Sequence, residues 1–396
     1  MSGPPWRVAA ALAVTQVIHW GSLFYAFSVL MPAMIAETGW RPELAVGAFS
    51  AGLLAEAGAA MLVGPLLDRL GARLVMTTGS LVAALGLWLA GGVESLWQLY
   101  TVWIALGATM AATLYQSAFA AIAASFSPQD LRRGMAVVAF AGGLASTIFW
   151  PLTSLLVQTL GWREACSVLA MMNLVCALLH GIALSPASAS RPDQTGAQDG
   201  AADLEVLLHD QRFWKLIFVY AVIGLASATL AVHLVPFLQE RGFGASAAAL
   251  ASLVGVAQVA GRIAEFAGGG RLSLHTIANL ALGTLAAVFA VLTFGRDAMI
   301  LGLALVLYGA GNGVLTIVRG ALPPSLFGAN GYGTITGFLS AAGALARAAG
   351  PLGMAWAWQW TGGYAAGMAV IAALCLAAIL VLHSTAQRQH LRPRPG

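Results

Sequence analysis

Long apolar runs recur along nearly the whole chain, and they decide its fold class. A transmembrane helix needs roughly 20 mostly apolar residues to cross a hydrocarbon core about 30 Å thick, and the chain contains twelve runs of that kind. Only 9% of its residues are charged, whereas a soluble domain carries about 25% charged residues. The runs do not alternate as the strands of a membrane barrel do. The sequence therefore predicts an all-α membrane protein with twelve transmembrane helices.

One long polar stretch, residues 185–210, interrupts this pattern and is rich in Pro, Ser, Gly, Gln and Asp. A segment of this composition cannot bury a core, so we expect a cytoplasmic linker there. It separates an N-terminal six-helix bundle (1–184) from a C-terminal six-helix bundle (211–396). The predicted helices span residues 8–36, 43–67, 74–92, 96–125, 134–160, 164–184, 211–240, 244–268, 276–294, 298–322, 332–356 and 362–384.

The two halves echo each other in sequence. Pro151 in predicted helix 5 and Pro351 in predicted helix 11 are 200 residues apart, as are Gly143 and Gly343. Parallel repeats of six helices are typical of carriers that bind substrate near the bilayer midplane between the repeats and open to each side in turn. We therefore expect two pseudo-symmetric bundles that transport by alternating access.

Lysine and arginine are distributed unequally between the two sides of the predicted membrane protein, with twelve on one side and four on the other. The positive-inside rule then places both termini in the cytoplasm. The net charge of +4 reflects this topology, so we expect no nucleic-acid partner. Arginine is strongly preferred over lysine and alanine is abundant, which suits a GC-rich bacterium, and we expect a multi-pass protein of the bacterial cytoplasmic (inner) membrane.

The most specific motif is GPLLDRLGAR at residues 64–73, between predicted helices 2 and 3. It is similar to the G-x-x-x-D-R-x-G-x-R signature of the major facilitator superfamily, and every specified position matches. Asp68, Arg69 and Arg73 are the predicted gating residues, because such a cluster can latch the halves on the cytoplasmic side and release them. The alternative is that the arginines only satisfy the positive-inside rule. A degraded second copy at 261–268 adds Glu265 to the gating set.

Charged residues inside the predicted helices carry the functional prediction. A charge at mid-depth costs about 2.5–3.5 kcal/mol, so it marks a transport pathway by default. Three arginines stand against two glutamates, and an anionic substrate would supply the missing negative charge. Structural alternatives remain open: the helix 8 arginine has the spacing of an ion pair with its acidic neighbour, the helix 10 arginine could snorkel or join that pair, and the helix 2 glutamate could neutralise an arginine, carry a proton or sit protonated. These residues are Arg262, Arg319, Arg347, Glu56 and Glu265.

Uncharged polar residues recur at helical spacing on the helices that line the cavity in the superfamily, as the resemblance implies. Helix 1 carries Thr15, His19 and Ser22 on one face with Tyr25 at its edge, and helix 10 carries Tyr308, Asn312, Thr316 and Arg319. Two histidines and one glutamate are proton-coupling candidates, with hydrogen-bonded packing as the alternative for each histidine. The coupling candidates are His19, His233 and Glu56, and the substrate candidates on these helices are Tyr25, Tyr115, Gln116, His233, Tyr308 and Asn312.

The entry to predicted helix 2, GWRPEL at 39–44 followed by AFS at 48–50, resembles that of the monocarboxylate transporters and the bacterial oxalate:formate antiporters. In the first family, helix 8 carries an arginine with an aspartate four residues earlier, and helix 1 carries a lysine. Arg262 matches that arginine, but Gln258 occupies the aspartate position and Tyr25 stands roughly at the lysine. The oxalate transporters use cations on helices 8 and 11, which Arg262 and Arg347 resemble more closely.

We therefore predict a secondary active transporter of a small organic anion, a mono- or dicarboxylate, driven by proton symport or anion exchange. Arg262, Arg347 and Gln258 complete its predicted substrate site. The alternative is proton-coupled efflux of drugs or other amphiphilic compounds, in which Glu56 is the key charge and the arginines are structural. A transporter-like sensor is a further alternative. The chain shows no nucleotide-binding loop, metal-ligand cluster or nucleophile, so we expect no enzyme activity, cofactor or metal, and a monomer in the lipid bilayer.

Overall fold

The structure, a computed structural model, describes residues 5–127, 130–185, 208–267, 272–327 and 332–387. Within these ranges the chain is helical apart from short turns and caps. The described part of the first half contains eight α-helices. They are α1 Pro5–His19, α2 Phe27–Thr38, α3 Pro42–Ala90, α4 Leu96–Thr113, α5 Tyr115–Ser125, α6 Leu131–Gly143, α7 Ala145–Leu160 and α8 Trp162–Ala183, with a π-helix at Trp20–Tyr25 between α1 and α2.

The second half continues the same architecture. Its α-helices are α9 Gln211–Leu238, α10 Ala247–Ala251, α11 Leu253–Ala267, α12 Leu274–Phe294, α13 Ala298–Phe327, α14 Tyr332–Thr361 and α15 Ala365–Gln387. Each of the twelve apolar runs corresponds to one or more of these helices. In the described part of the chain, ten helical segments are long and apolar enough to cross a membrane. The predicted all-α membrane fold is confirmed.

One helix break lies at the predicted boundary between helices 2 and 3, and two others interrupt predicted helices where no boundary was expected. Gly71, inside the GPLLDRLGAR motif, has φ 79° and ψ 157°, so α3 consists of two helices joined at this glycine. Only glycine adopts this backbone conformation without strain. Leu114 separates α4 from α5 with ψ −165°, and Leu144 separates α6 from α7. Predicted helices 4 and 5 are therefore each built from two shorter helices.

The described contacts divide the chain into two compact units. The first unit comprises Met1–Ser190 with Leu230–Gly255, and the second comprises Arg191–Thr229 with Val256–Gly396. Most of the predicted linker, 185–210, lies outside the described residues. The predicted bundle limits at 184 and 211 stay a prediction.

The core of the first unit joins α2, α3 and α4 through aromatic side chains. Phe27 stacks on Phe49 with ring centroids 4.6 Å apart, and Trp103 meets Phe49 edge-on at 5.2 Å. All three side chains are fully buried. Gly52, one turn from Phe49, lets the backbones of α3 and α4 approach, because a Cβ at this position would lie 2.6 Å from the Trp103 carbonyl oxygen. Small residues at helix contacts are the usual means of close packing in membranes.

This contact predicts that Gly52→Ala destabilises the fold. The added methyl overpacks the α3–α4 contact, which typically costs about 1–3 kcal/mol. Gly58→Ala is the matched control in the same helix, because nothing lies within 4 Å of a Cβ built there, and alanine favours a helix over glycine by up to about 1 kcal/mol. Thermal unfolding of the two purified variants should give a lower apparent Tm for Gly52→Ala only. An equal Tm for both would contradict the packing argument.

Candidate functional site

Close packing of α11 against α13 positions Arg262 in the second unit. Gly261 faces the backbone of Ala310, and Gly313 faces the Gln258 carbonyl, with no room for a side chain at either glycine. The Arg262 side chain consequently lies against α13, where its Nη2 is 3.5 Å from the Thr316 hydroxyl oxygen. Arg262 and Gln258 are both 5% exposed. A guanidinium is thus held deep in the apolar part of this unit.

A second glycine contact places Arg347 against α9. Gly224 of α9 packs on the backbone of Gly343 in α14, and a Cβ at Gly224 would be 3.3 Å from Arg347 Cγ. Gly350, one turn after Arg347, also packs on α9, because a Cβ built at Gly350 would lie 2.8 Å from the Leu225 carbonyl oxygen. The aliphatic stem of Arg347 therefore lies along α9, and the residue is half-buried.

Arg319 of α13 joins these two cations. The Tyr220 hydroxyl donates a hydrogen bond to the Arg319 backbone carbonyl, which ties α9 to α13. The Arg319 guanidinium is close enough to Arg347 and Arg262 to be repelled by both, and it also lies near the phenols of Tyr220 and Tyr308. Like charges repel more strongly in an apolar interior than in water, because the effective dielectric constant is lower. The second unit therefore concentrates three positive charges.

Glu265 does not balance this cluster. It is half-buried on α11, and among the described residues it makes no ion pair with Arg262 or Arg319. Neither ion pair considered for these arginines is therefore formed. No ion pair of the Arg319 side chain occurs in the described ranges either.

Polar side chains of α9 and α13 lie beside the arginines. Asn312 accepts a hydrogen bond from the Ser227 hydroxyl at 2.9 Å through its side-chain oxygen. Thr316 donates to the Asn312 carbonyl at 3.0 Å, which leaves its oxygen turned to Arg262. Tyr308 is 3% exposed and packs edge-on against Phe289. The predicted polar face of helix 10 is thus joined to α9 and α11. Ser227 and Tyr220 are neighbours that sequence reasoning missed.

The other predicted substrate residues belong to the first unit. Tyr25, at the end of the π-helix, meets Trp150 with ring centroids 5.1 Å apart. Tyr115 meets Trp20 at 5.1 Å and donates to the Ala139 carbonyl at 3.1 Å. Short π-helical segments often mark functional positions. This one contains Trp20 and Tyr25, two of the four rings just described. Gln116 is exposed and His233 is buried. The tryptophans Trp20 and Trp150 were not expected at this position from sequence.

The polar face of helix 1 is buried inside the first unit. Thr15, His19 and Ser22 are fully buried, and they hydrogen-bond to α3 and α8 through Ser80, Asn173 and His180. Sequence reasoning assigned this face to the cavity and missed its three partners.

The predicted gating motif surrounds the break at Gly71. Arg69 and Arg73 are exposed on either side of it, whereas the side chain of Asp68 lies outside the described part of the structure. Glu56 is half-buried on α3. No group of three or more His, Cys, Asp or Glu in the described ranges could hold a metal ion.

The chain belongs to the major facilitator superfamily, whose family model matches residues 12–351. It is a membrane transporter with the twelve-helix fold of that family, and not an enzyme. It is 27% identical over 384 residues to monocarboxylate transporter 13 of Rattus norvegicus, covering 94% of this chain and 85% of the relative. It is also 31% identical over 281 residues to monocarboxylate transporter 11 of Mus musculus, covering 68% of this chain and 60% of that protein.

A solved structure shares the fold over the full length. It is a bacterial homologue of the human lysosomal transporter Spinster, which aligns with a TM-score of 0.77 at 12% identity and covers 100% of both chains. At this identity the likeness concerns the fold alone.

The arginine cluster predicts a gain of stability when one charge is removed. Arg319→Gln relieves repulsion from Arg262 and Arg347, which should stabilise the anion-free protein by about 1 kcal/mol. The apparent Tm in a buffer of low ionic strength should rise. Arg296→Gln is the control, because Arg296 is an exposed arginine outside the cluster. A lower Tm for Arg319→Gln would show that its guanidinium stabilises the fold and would contradict this electrostatic interpretation.

Proposed function

We propose that the protein is a secondary active transporter of a small organic anion, a mono- or dicarboxylate. The observation that carries the proposal is the close packing, within the second unit, of the three helices that bear or flank Arg262, Arg319 and Arg347, with Arg262 only 5% exposed. Glu265, the acidic residue nearest in sequence to Arg262, is not their ion-pair partner. A carboxylate is the proposed negatively charged ligand of this group of arginines.

The energetics of the membrane support an anionic substrate. A charge at mid-depth in a membrane helix costs about 2.5–3.5 kcal/mol even on the lenient insertion scale, and three arginines lie within the helices of this unit, one of them 5% exposed. Arginine binds a carboxylate through two parallel, charge-assisted hydrogen bonds in a fixed geometry. Arg262 and Arg347 are the proposed carboxylate ligands. Gln258, Asn312 and Tyr308 are the proposed neighbours of these two arginines in the substrate site.

The similarity to monocarboxylate transporters supports the same substrate class. We propose transport by alternating access, coupled to proton symport or to exchange of a second anion. Tyr25, Tyr115, Gln116 and His233 are the proposed substrate residues of the first unit. His19, His233 and Glu56 are the proposed coupling candidates.

The proposed topology follows from the distribution of charge. Both termini and the linker at 185–210 lie in the cytoplasm, and the bundles extend over 1–184 and 211–396. We propose a monomer in the bacterial cytoplasmic membrane. Asp68, Arg69 and Arg73, with Glu265 and Arg319, are its proposed gating residues.

Uptake by proteoliposomes tests the substrate class. Labelled lactate, oxalate and related acids should accumulate with the wild-type protein. Arg262→Gln and Arg347→Gln should each raise the half-saturating concentration about 10-fold or more, because a hydrogen bond to a charged group contributes about 1.5–3 kcal/mol and about 1.4 kcal/mol is tenfold in affinity. Arg296→Gln, an exposed arginine outside the cluster, should transport as the wild type does.

The alternative of efflux gives the opposite pattern. Transport of a lipophilic cation that stops in Glu56→Gln and persists in both arginine variants would replace the organic-anion proposal. Carboxylate uptake that is unimpaired in Arg262→Gln and Arg347→Gln would remove these residues from the mechanism.

A further inference from the structure

The first unit buries a pair of histidines that the arginine site does not use. His19 of α1 and His180 of α8 are both 0% exposed, and their ring centroids are 5.6 Å apart. The Ser80 hydroxyl oxygen of α3 lies between them, 3.1 Å from His19 Nε2 and 3.1 Å from His180 Nδ1. The outer ring nitrogens contact Asn173 and Thr15, each at 2.9 Å. Every ring nitrogen of the pair therefore has a hydrogen-bonding neighbour.

Asn173 fixes the tautomer of the first ring. Its side-chain nitrogen is 2.8 Å from the Leu169 carbonyl oxygen, which only accepts hydrogen bonds, and 2.9 Å from Ser22 Oγ. The side-chain oxygen of Asn173 is consequently the atom that faces His19 Nδ1. Because this oxygen also only accepts, His19 must carry a proton on Nδ1. A neutral His19 then needs a donor at Nε2.

Ser80 is that donor. Because its hydroxyl has only one proton, the bond to His19 also determines the tautomer of His180. If the Ser80 hydroxyl donates to His19 Nε2, its oxygen accepts from His180 Nδ1, and Thr15 donates to His180 Nε2. Each side chain then donates a hydrogen bond to the next, in the order Thr15, His180, Ser80, His19 and Asn173. Both rings are then neutral and carry the proton on Nδ1. Every histidine nitrogen in this series has a hydrogen-bond partner.

The same cluster can also hold one added proton, on either of the two rings. Ser80 also lies 2.8 Å from the Met76 carbonyl oxygen, so its proton can turn to that acceptor. His19 Nε2 can then be protonated and donate to Ser80. Thr15 likewise has a second acceptor, the Leu12 carbonyl at 3.2 Å, which allows a proton on His180 Nε2. An added proton thus finds a hydrogen-bonded position on either ring without leaving a buried polar group unsatisfied.

No charged side chain contacts either imidazole within the described ranges. Cys176, a buried thiol between Asn173 and His180 in sequence, is the nearest titratable residue along α8. The other titratable residues on α1, α3 and the helices that contact α1 include an exposed Arg7 and a buried Glu43. By element, those with described side chains are Arg7 on α1, Tyr25 on the π-helix, Glu43, Glu56, Arg69 and Arg73 on α3, Tyr100 on α4, Tyr115 on α5, Arg133 on α6, and Arg163, Glu164 and Cys166 on α8.

We propose that His19, Ser80 and His180 form a binding site for a single proton. Transfer between the rings runs through the hydroxyl: the Nδ1–H bond of a doubly protonated His180 breaks as its proton binds Ser80 Oγ, and the O–H bond of Ser80 breaks as its proton forms the Nε2–H bond of His19. The pair holds one added proton before and after the transfer. The link between this proton and transport rests on the proposed function, because it makes the proton the coupling ion. Proton binding itself does not depend on that function.

Nitrogen NMR of histidine-labelled protein in lipid bilayers tests the site without any substrate. The two rings should be neutral at high pH with the proton on Nδ1, and lowering the pH should convert one ring per molecule to imidazolium. A variant with the other five histidines replaced by Gln isolates the pair; these are His209, His233, His275, His383 and His390. Rings that stay neutral down to pH 5 in folded protein, or that carry the proton on Nε2 at high pH, would overturn the proposal.

Two serine variants separate proton binding from packing. Ser80→Ala removes the hydroxyl between the rings and should shift the midpoint of the NMR titration. Ser22→Ala removes a buried hydroxyl that contacts Asn173 and neither ring, so it should leave the midpoint unchanged. Equal midpoints in both variants would contradict a role for Ser80.

Coupling is tested by uptake at several values of pH. Wild-type proteoliposomes should take up carboxylate faster with an inward proton gradient, and His180→Gln should lose this dependence while His275→Gln keeps it. A gradient response that persists in His180→Gln would disconnect the site from coupling even if NMR shows the bound proton. Failure of all carboxylate uptake would overturn the proposed function and leave the NMR result to decide the proton site.

Discussion

The absence of water from the bilayer interior is the constraint on which the rest of this structure depends. Every polar group at that depth must find its partner within the protein or in a bound molecule. Backbone groups meet this requirement through helices, which explains the almost wholly helical chain. Side chains meet it in two different ways. The first unit contains a network in which every nitrogen of two buried histidines has a hydrogen-bonding neighbour, whereas the second unit gathers positive charges that repel one another.

These two solutions have different consequences for function. A neutral, fully hydrogen-bonded network such as His19–Ser80–His180 holds α1, α3 and α8 together and changes only by moving protons. In the proposed function, an anion bound at Arg262 and Arg347 would relieve the repulsion among Arg262, Arg319 and Arg347 and would add charge-assisted hydrogen bonds. The first arrangement suits a proton site, and the second suits a site for a larger anion.

The sequence predicts those features that depend on local chemistry. Twelve apolar runs identify the helices, because crossing a bilayer requires a continuous apolar stretch, and the spacing of Tyr308, Asn312 and Thr316 identifies one polar helix face. The break at Leu114 has no glycine or proline beside it that would have predicted it. Ser80 and His180 are 100 residues apart, and only helix packing brings such residues together.

Helix packing also explains why the arginines could be identified from sequence while their arrangement could not. A single arginine in a membrane helix can extend its charge toward the surface at modest cost, so each of the three has a structural explanation when considered alone. Their meeting requires close backbone contacts at Gly261, Gly313 and Gly224, which lie on three different helices. Those glycines carry no charge. They nevertheless determine the electrostatics of the site, because any larger residue would separate the helices that hold the guanidinium groups together.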